Sequence, residues 1–325
     1  MTDQLTDILL RIETSRKMTG HDLRALRLAV FDDHVVSFSE ADRLFSLHKT
    51  EIEKAAGWDD FFVALITAIL VRQSEPAGIM DQVKASWFIA RATEMGFIET
   101  PVKFRILQAV LTEVREAPDI FVEFALLQVK AALIDGRAYM GRNRISAEKQ
   151  ITLEDVALLE QILYASGHHG HVAITQKQAE MLFDIEEACT AAEDAKEAWQ
   201  SLFVNAVTNS VMFFGEARAG FNKIDGDAAG AEEALEDTSA PDRDPQTVWE
   251  SFSGQDFEEQ SKRYLAGTEG SENSDYVDQD EALWLAHRVA KDGFFTVNER
   301  ALLQHLGKMC PEVHHSLKPF IAAAA

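Results

Sequence analysis

An internal repeat constrains the fold of this chain more than any other feature of its sequence. A stretch near Ala41 and a stretch near Ala179 carry the same residues in the same order, 138 residues apart at the alanines and 141 apart at Trp58 and Trp199. The matched pairs are Ala41/Ala179, Leu44/Leu182, Phe45/Phe183, Trp58/Trp199, Val63/Val204 and Thr67/Thr208. Helical amphipathicity alone repeats apolar positions, but it does not preserve the spacing of tryptophans. We therefore interpret the chain as two tandem, diverged copies of one unit.

The likeness continues in the later part of each copy, at a larger separation. Trp87 to Phe97 matches Trp284 to Phe294 at 197 residues, and Ala117 to Ile120 matches Cys310 to Val313 at 193 residues. The increase from 141 to 197 places about 56 additional residues in the second copy, between Lys223 and Glu281. Residues 223–281 include 18 acidic and 4 basic residues, and so contribute −14 of the net charge of −23. Because such a composition buries little apolar surface, we expect a largely disordered acidic insert.

The rest of the chain has the periodicity of helices. Leu23, Leu26 and Val30 recur at helical spacing, and no stretch alternates with period two for long enough to predict a sheet. We predict an all-α protein of helix–turn–helix pairs packed as bundles. The predicted organisation is a first helical repeat over residues 1–136, the first half of a second repeat over 137–222, the insert with a short docking helix over 223–281, and the second half of that repeat over 282–325.

The charge of the chain limits its partners. With 31 basic and 54 acidic residues, it repels phosphate backbones, so we expect no nucleic-acid partner. Its most apolar run, residues 61–71, is shorter than the roughly 20 residues that span a bilayer, and the first residues do not resemble a signal peptide. We therefore expect a cytoplasmic protein without membrane insertion. A basic protein or a divalent cation fits the negative field, and a homodimer is an open alternative.

The helix–turn–helix junctions resemble a known family. The stretch from Leu285 to Leu303 contains a helix that ends in Asp292-Gly293, a short turn with Thr296, and Glu299 near the start of the next helix. This pattern resembles the TerB-like (tellurite-resistance B-like) helical module. The stretch from Ala29 to Ala41 follows it as well. The resemblance implies an all-helical fold, acidic junction residues that bind a divalent cation, and a role in stress-linked or membrane-associated assemblies.

Candidate metal ligands occur at these junctions. The acidic positions that match the family are Asp32, Asp33 and Glu40 in the first copy, and Asp292 and Glu299 in the second. Carboxylate oxygens suit hard cations, but an acidic residue at these positions is also favourable as a helix cap. His168, His169 and His171 form a second candidate cluster in a glycine-containing turn, where a solvated loop is the alternative.

The sequence contains no recognisable catalytic motif, so no catalytic residue and no organic cofactor are predicted. The first hypothesis is a non-enzymatic protein-interaction or scaffold protein. In this hypothesis, aromatic residues of the insert contact a protein partner: Trp249, Phe252, Phe257 and Tyr264. The alternative is a divalent-cation-binding or sensing protein with sites at the junctions.

Overall fold

The structure is a computed structural model of the chain. It describes residues 2–30, 36–73, 76–93, 95–139, 141, 149–165, 167–168, 171–172, 174–224, 276–277, 279–289, 291, 293–310 and 312–325. Side chains are described for these residues except 2–3, 167–168, 171–172, 213–224, 276 and 312. The chain divides into two compact units, Met1–Ile145 and Ser146–Ala325, which we call unit 1 and unit 2.

The described part of unit 1 is helical. Its helices are α1 (Thr2–Ser15), α2 (Gly20–Val30), α3 (Phe38–Lys49), α4 (Trp58–Thr67), α5 (Gln82–Ala92), α6 (Pro101–Glu113) and α7 (Asp119–Ile134), and α4 continues as a π-helical turn over Ala68–Arg72. Helix α4 packs against α6, and α7 packs against α5. Phe88 of α5 lies 6.3 Å, between ring centroids, from both Phe121 and Phe124 of α7. These contacts form an aromatic core from residues that are far apart in the sequence.

Unit 2 is also helical, with short strands between its helices. Its helices are α8 (Leu153–Tyr164), α9 (Gln176–Ala188), α10 (Lys196–Ile224), α11 (Gln279–Val289), α12 (Val297–Met309) and α13 (Lys318–Ala324). Its strands are β1 (Gln150–Ile151), β2 (Gly167–His168), β3 (His171–Val172), β4 (Thr190–Ala191), β5 (Tyr276–Val277) and β6 (Glu312–Val313). They pair as β1–β4 and β5–β6, both parallel, and as β2–β3, antiparallel. The prediction of an all-α fold is confirmed.

Polar residues immediately before the helices explain where several of them begin. Ser37 and Glu40 form a capping box at α3, in which the Ser37 amide donates to Glu40 Oε2 at 2.9 Å. Thr175 and Gln178 form the corresponding box at α9. Such boxes satisfy amide groups that the first turn of a helix leaves unpaired. Side chains three positions apart therefore determine where these two helices begin.

Parallel backbone pairs connect the segments between helices in both units. In unit 1, Lys17 pairs with Glu53 and Ile79 pairs with Glu116. In unit 2, the corresponding pairs are β1 with β4 and β5 with β6, in which Gln150 lies opposite Thr190 and Tyr276 opposite Glu312. Glu116 and Glu312 are 196 residues apart, which differs by three from the separation of 193 in the predicted match of Ala117 to Ile120 with Cys310 to Val313.

Close packing fixes the position of the helix α13 against α12. A Cβ atom added at Gly307 of α12 would lie 2.8 Å from Ile321 Cγ2 of α13. The side chain of Gln304 also donates to the carbonyl of Ala324 at 2.7 Å. Helix α12 contacts α10 as well, and so it lies between two neighbouring helices. None of the described helices combines the length and apolar content needed to cross a bilayer.

Candidate functional site

The described acidic junction residues serve as helix caps. Glu40 accepts hydrogen bonds from the amide and the hydroxyl of Ser37, at 2.9 and 2.7 Å. Glu299 accepts one from the amide of Thr296 at 2.7 Å, and its own amide donates to the Thr296 hydroxyl at 3.1 Å. Both carboxylates are thus engaged in capping boxes at the starts of α3 and α12. Among the described residues, no group of three or more His, Cys, Asp or Glu side chains could hold a metal ion.

The other predicted site residues are described only in part. Asp32, Asp33, Asp292 and His169 lie outside the described residues. His168 and His171 are paired in the backbone register of β2 and β3, but their side chains lie outside the description. The predicted partner-binding residues of the insert also lie outside it: Trp249, Phe252, Phe257 and Tyr264.

Both units contain a tryptophan and an arginine that contact one acidic residue. In unit 1, Trp87 Nε1 donates to Asp42 Oδ1 at 3.1 Å, and Arg91 Nη2 donates to Asp42 Oδ2 at 2.7 Å. In unit 2, Trp284 Nε1 donates to Glu180. Arg288 Nε lies 3.0 Å from Glu180 Oε2, an ion-pair contact without hydrogen-bond geometry. This arrangement joins α3 to α5 in unit 1 and α9 to α11 in unit 2.

Unit 2 adds further acidic residues to this arrangement. Arg288 Nη2 lies 2.7 Å from Asp184 Oδ1, and Arg288 Nη1 lies 3.1 Å from Glu187 Oε1. Lys291 also pairs with Glu187, at 2.6 Å between Nζ and Oε2. The side chain of Arg288 is 10% exposed, whereas that of Arg91 is 32% exposed. A nearly buried guanidinium in unit 2 therefore holds three carboxylates together.

Glu186 and Glu299 place two more carboxyl groups near the start of α12. Trp199 Nε1 and Asn298 Nδ2 donate to Glu186 Oε2 at 2.6 and 2.9 Å. Burial raises the pKa of the Glu299 carboxyl above its usual range; hydrogen bonds from Thr296 oppose this effect, and the charges of Glu186 and Glu187 add to it. The start of α12 is therefore a region of concentrated negative charge.

A groove lies between α10 and α12 of unit 2. It encloses about 370 Å³. Its lining is mainly polar and comes from successive turns of both helices: Glu197, Gln200, Ser201, Val204, Asn205, Ala301, Gln304, His305 and Lys308. Gln200 Nε2 donates to Asn298 Oδ1 at 3.0 Å, which joins the first part of α10 to the first turn of α12. This contact marks one end of the groove, close to Glu186.

Short side chains in unit 2 explain the groove. At the corresponding place in unit 1, Arg105 of α6 and Asp60 of α4 form an ion pair with 2.6 Å between Nη2 and Oδ1. The matching positions in unit 2 are Ala301 and Ser201, which are 196 and 141 residues further along the chain. Neither side chain is long enough to cross between the helices. The groove therefore lies where unit 1 has an ion pair.

His305 is the most constrained polar group of the groove. Its Nε2 atom is buried and has no hydrogen-bond partner among the described residues. Burial lowers the pKa of its imidazole below 6.5, and the nearby charge of Lys308 adds to this effect. Burial therefore favours the uncharged ring, in which one nitrogen donates and the other accepts a hydrogen bond.

The sequence predictions did not include this groove. The sequence offset of 141 aligns Asp60 with Ser201, but Arg105 aligns with Ala301 only at the separation of 196 that the helix starts at Pro101 and Val297 give. These separations thus identify positions where the two units differ. No family model, curated protein or solved structure matches the chain. The duplication and the resemblance to the TerB-like module stay predictions.

Proposed function

We propose that this chain is a non-enzymatic protein-interaction protein, and that the groove between α10 and α12 of unit 2 binds a segment of a partner protein. The observation that carries the proposal is the contrast between the units. Arg105 and Asp60 cross between the two helices in unit 1, whereas Ala301 and Ser201 leave polar side chains accessible in unit 2. In this proposal, unit 1 keeps its ion pair and has a structural role, whereas the open groove of unit 2 contacts the partner.

The chemistry of the groove favours binding over catalysis. Its polar lining consists of amides, a hydroxyl and single charges, which donate and accept hydrogen bonds. A peptide backbone offers the complementary groups along its length. Ligand-binding clefts in proteins typically have volumes of about 300–1,000 Å³. The volume of about 370 Å³ lies at the lower end of this range, which suits a short segment.

The two described junction carboxylates, Glu40 and Glu299, do not support the alternative of a divalent-cation site. Glu40 and Glu299 already accept hydrogen bonds as caps, and they belong to different units. The insert remains part of the proposal as a second element that contacts the partner, because its aromatic residues lie within a strongly acidic segment.

The proposal is tested by closing the groove with the side chains of unit 1. The double variant Ser201→Asp with Ala301→Arg introduces the ion pair that unit 1 has between Asp60 and Arg105. We expect it to remain folded and to lose partners that the unmodified chain captures from an extract of its native cell, measured by quantitative mass spectrometry.

The matched control removes the same pair from unit 1. The variant Asp60→Ser with Arg105→Ala changes exposed residues of equal number and type, and we expect it to retain the partners. Circular dichroism and thermal unfolding of both variants establish that they are folded. If the Ser201→Asp, Ala301→Arg variant is folded and captures the same partners, the groove is not the binding surface.

A further inference from the structure

The charges around the groove differ between its two ends. Glu186 and Glu197 lie at the end where α10 and α12 begin, and Lys308 lies toward the end of α12. Within the part of the chain that the structure describes, the hydrogen-bond donors to Glu186 are the neutral groups of Trp199 and Asn298. Among the described residues, none of these three charged side chains has an ion-pair partner within 4.0 Å. One end therefore offers unpaired carboxylates and the other an unpaired ammonium group.

Two exposed apolar residues lie just before Asn298 in the chain, the residue that marks the acidic end. Phe294 is 83% exposed and Val297 is 78% exposed. The chain on either side of them is fixed to the end of α9, because Lys291 pairs with Glu187 and Asn298 donates to Glu186. Val297 precedes Ala301 by one helical turn, so it continues the row of α12 residues that lines the groove. The acidic end thus combines negative charge with an apolar contact surface.

The length of the groove limits the size of an occupant. Asn298 and Lys308 are ten positions apart on α12, which corresponds to about 15 Å at a rise of about 1.5 Å per residue. An extended chain covers this distance with about five residues, at about 3.3 Å per residue. A short extended segment can therefore reach from the carboxylates at one end to the ammonium group at the other.

From this arrangement we infer that the occupant is a short extended segment with a cationic side chain beside an apolar one at its first end, and a carboxylate at its second end. The cationic group lies at Glu186 and Glu197, the apolar side chain contacts Phe294 and Val297, and the carboxylate lies at Lys308. This inference rests on the proposed function, since it specifies the partner segment of the same groove. Charge complementarity selects this segment over a neutral or a wholly acidic one.

Capped hexapeptides test the inference directly. They share the central sequence Leu-Ser-Gly-Ser and differ only in their end residues, which are Lys and Asp, Lys and Lys, Asp and Asp, or Gln and Gln. Binding to the full chain is measured by ligand-observed NMR. We expect the Lys and Asp peptide to bind tightest to the unmodified chain.

Charge reversal in the protein identifies the position of each end. With Lys308→Glu, we expect the Lys and Asp peptide to lose affinity on the order of fivefold, and the Lys and Lys peptide to become the tightest. With Glu186→Gln, the affinity should fall for peptides that contain Lys and remain unchanged for the Gln and Gln peptide. If a charge change in the protein alters the affinity only of peptides that carry a charge at one end, that end of the peptide lies beside the changed residue.

The outcomes separate this inference from the proposed function. If all four peptides bind equally and lose binding in the Ser201→Asp, Ala301→Arg variant, the groove binds peptides but the charge assignment is wrong. If native partners depend on the groove and no hexapeptide binds, the assignment of a short extended segment is wrong. If neither peptides nor native partners respond to closing the groove, the proposed function fails as well.

Discussion

Replacing Arg288 by Met tests how the two units differ in their internal ion pairs. Arg288 is 10% exposed and contacts Glu180, Asp184 and Glu187, whose side chains are 36%, 34% and 22% exposed. Removing one partner of a fully buried ion pair costs roughly 3–5 kcal/mol. Because solvent reaches these carboxylates in part, we expect a loss of about 3 kcal/mol in the free energy of unfolding.

The matched substitution in unit 1 is Arg91→Met. Arg91 is 32% exposed and pairs with Asp42, which is 40% exposed, so we expect a loss of about 1 kcal/mol. Both arginines also lie over an aromatic ring, Trp87 at 4.9 Å and Phe183 at 5.2 Å from the centroid. Since this contact is lost in both variants, the difference between them reports the ion pairs.

Differential scanning calorimetry and urea unfolding, followed by tryptophan fluorescence, measure the two effects. For units of this size, about 1 kcal/mol shifts the melting temperature by roughly 2–4 °C, so Arg288→Met should lower the transition of unit 2 by about 6–12 °C. Arg288→Lys keeps the positive charge but not the planar donors of the guanidinium. Its melting temperature should therefore lie between those of the unmodified chain and of Arg288→Met. If Arg91→Met lowers the free energy of unfolding as much as Arg288→Met does, burial does not determine how strongly these ion pairs stabilise the units.

Three further predictions address pH, metal ions and the insert. Burial lowers the pKa of His48 and of His305 below 6.5, so the unfolded chain takes up protons that the folded chain does not, and stability should fall as the pH decreases from about 6.5. Urea unfolding between pH 7.5 and 5 measures this slope, and His48→Gln should reduce it; a flat profile contradicts the prediction. Millimolar calcium, magnesium, zinc or manganese should leave the melting temperature unchanged, because Glu40 and Glu299 are occupied as caps. A metal-induced increase in the melting temperature that is absent in Glu299→Gln would contradict this prediction. Replacing residues 225–275 by a Gly-Ser linker should preserve both unfolding transitions and reduce partner capture, while unaltered capture would assign the insert no part in binding.

Apolar periodicity predicted the helices, because the interactions that start and continue a helix lie within a few residues. Ser37 with Glu40, and Thr175 with Gln178, start helices through contacts three residues apart. The proline match has a separation of 193, which differs from the separation of the paired segments in the structure. A proline and an acidic residue recur at many helix starts. The helix ends at Glu113 and Met309, and the paired residues Glu116 and Glu312, instead give a separation of 196.

The groove depends on contacts that no local pattern contains. Whether Ala301 leaves space depends on the residue opposite it on α10, which is 100 positions away in the sequence. Glu186 gives a second example, because its role follows from donors on α10 and α12 rather than from its neighbours. The sequence therefore predicted the helical framework, whereas the groove depends on the relative positions of three helices.

The close packing at Gly307 has a consequence for how tightly the groove can bind. Helix α12 forms one wall of the groove, and its contact with Ile321 and the hydrogen bond from Gln304 to Ala324 hold it against α13. A wall that is fixed before an occupant arrives loses little conformational entropy on association, so the ordering cost falls on the incoming segment alone. Replacing Gly307 by Ala would push α13 away and loosen this wall. Residence time on the groove would then shorten even though no residue in contact with the occupant had changed.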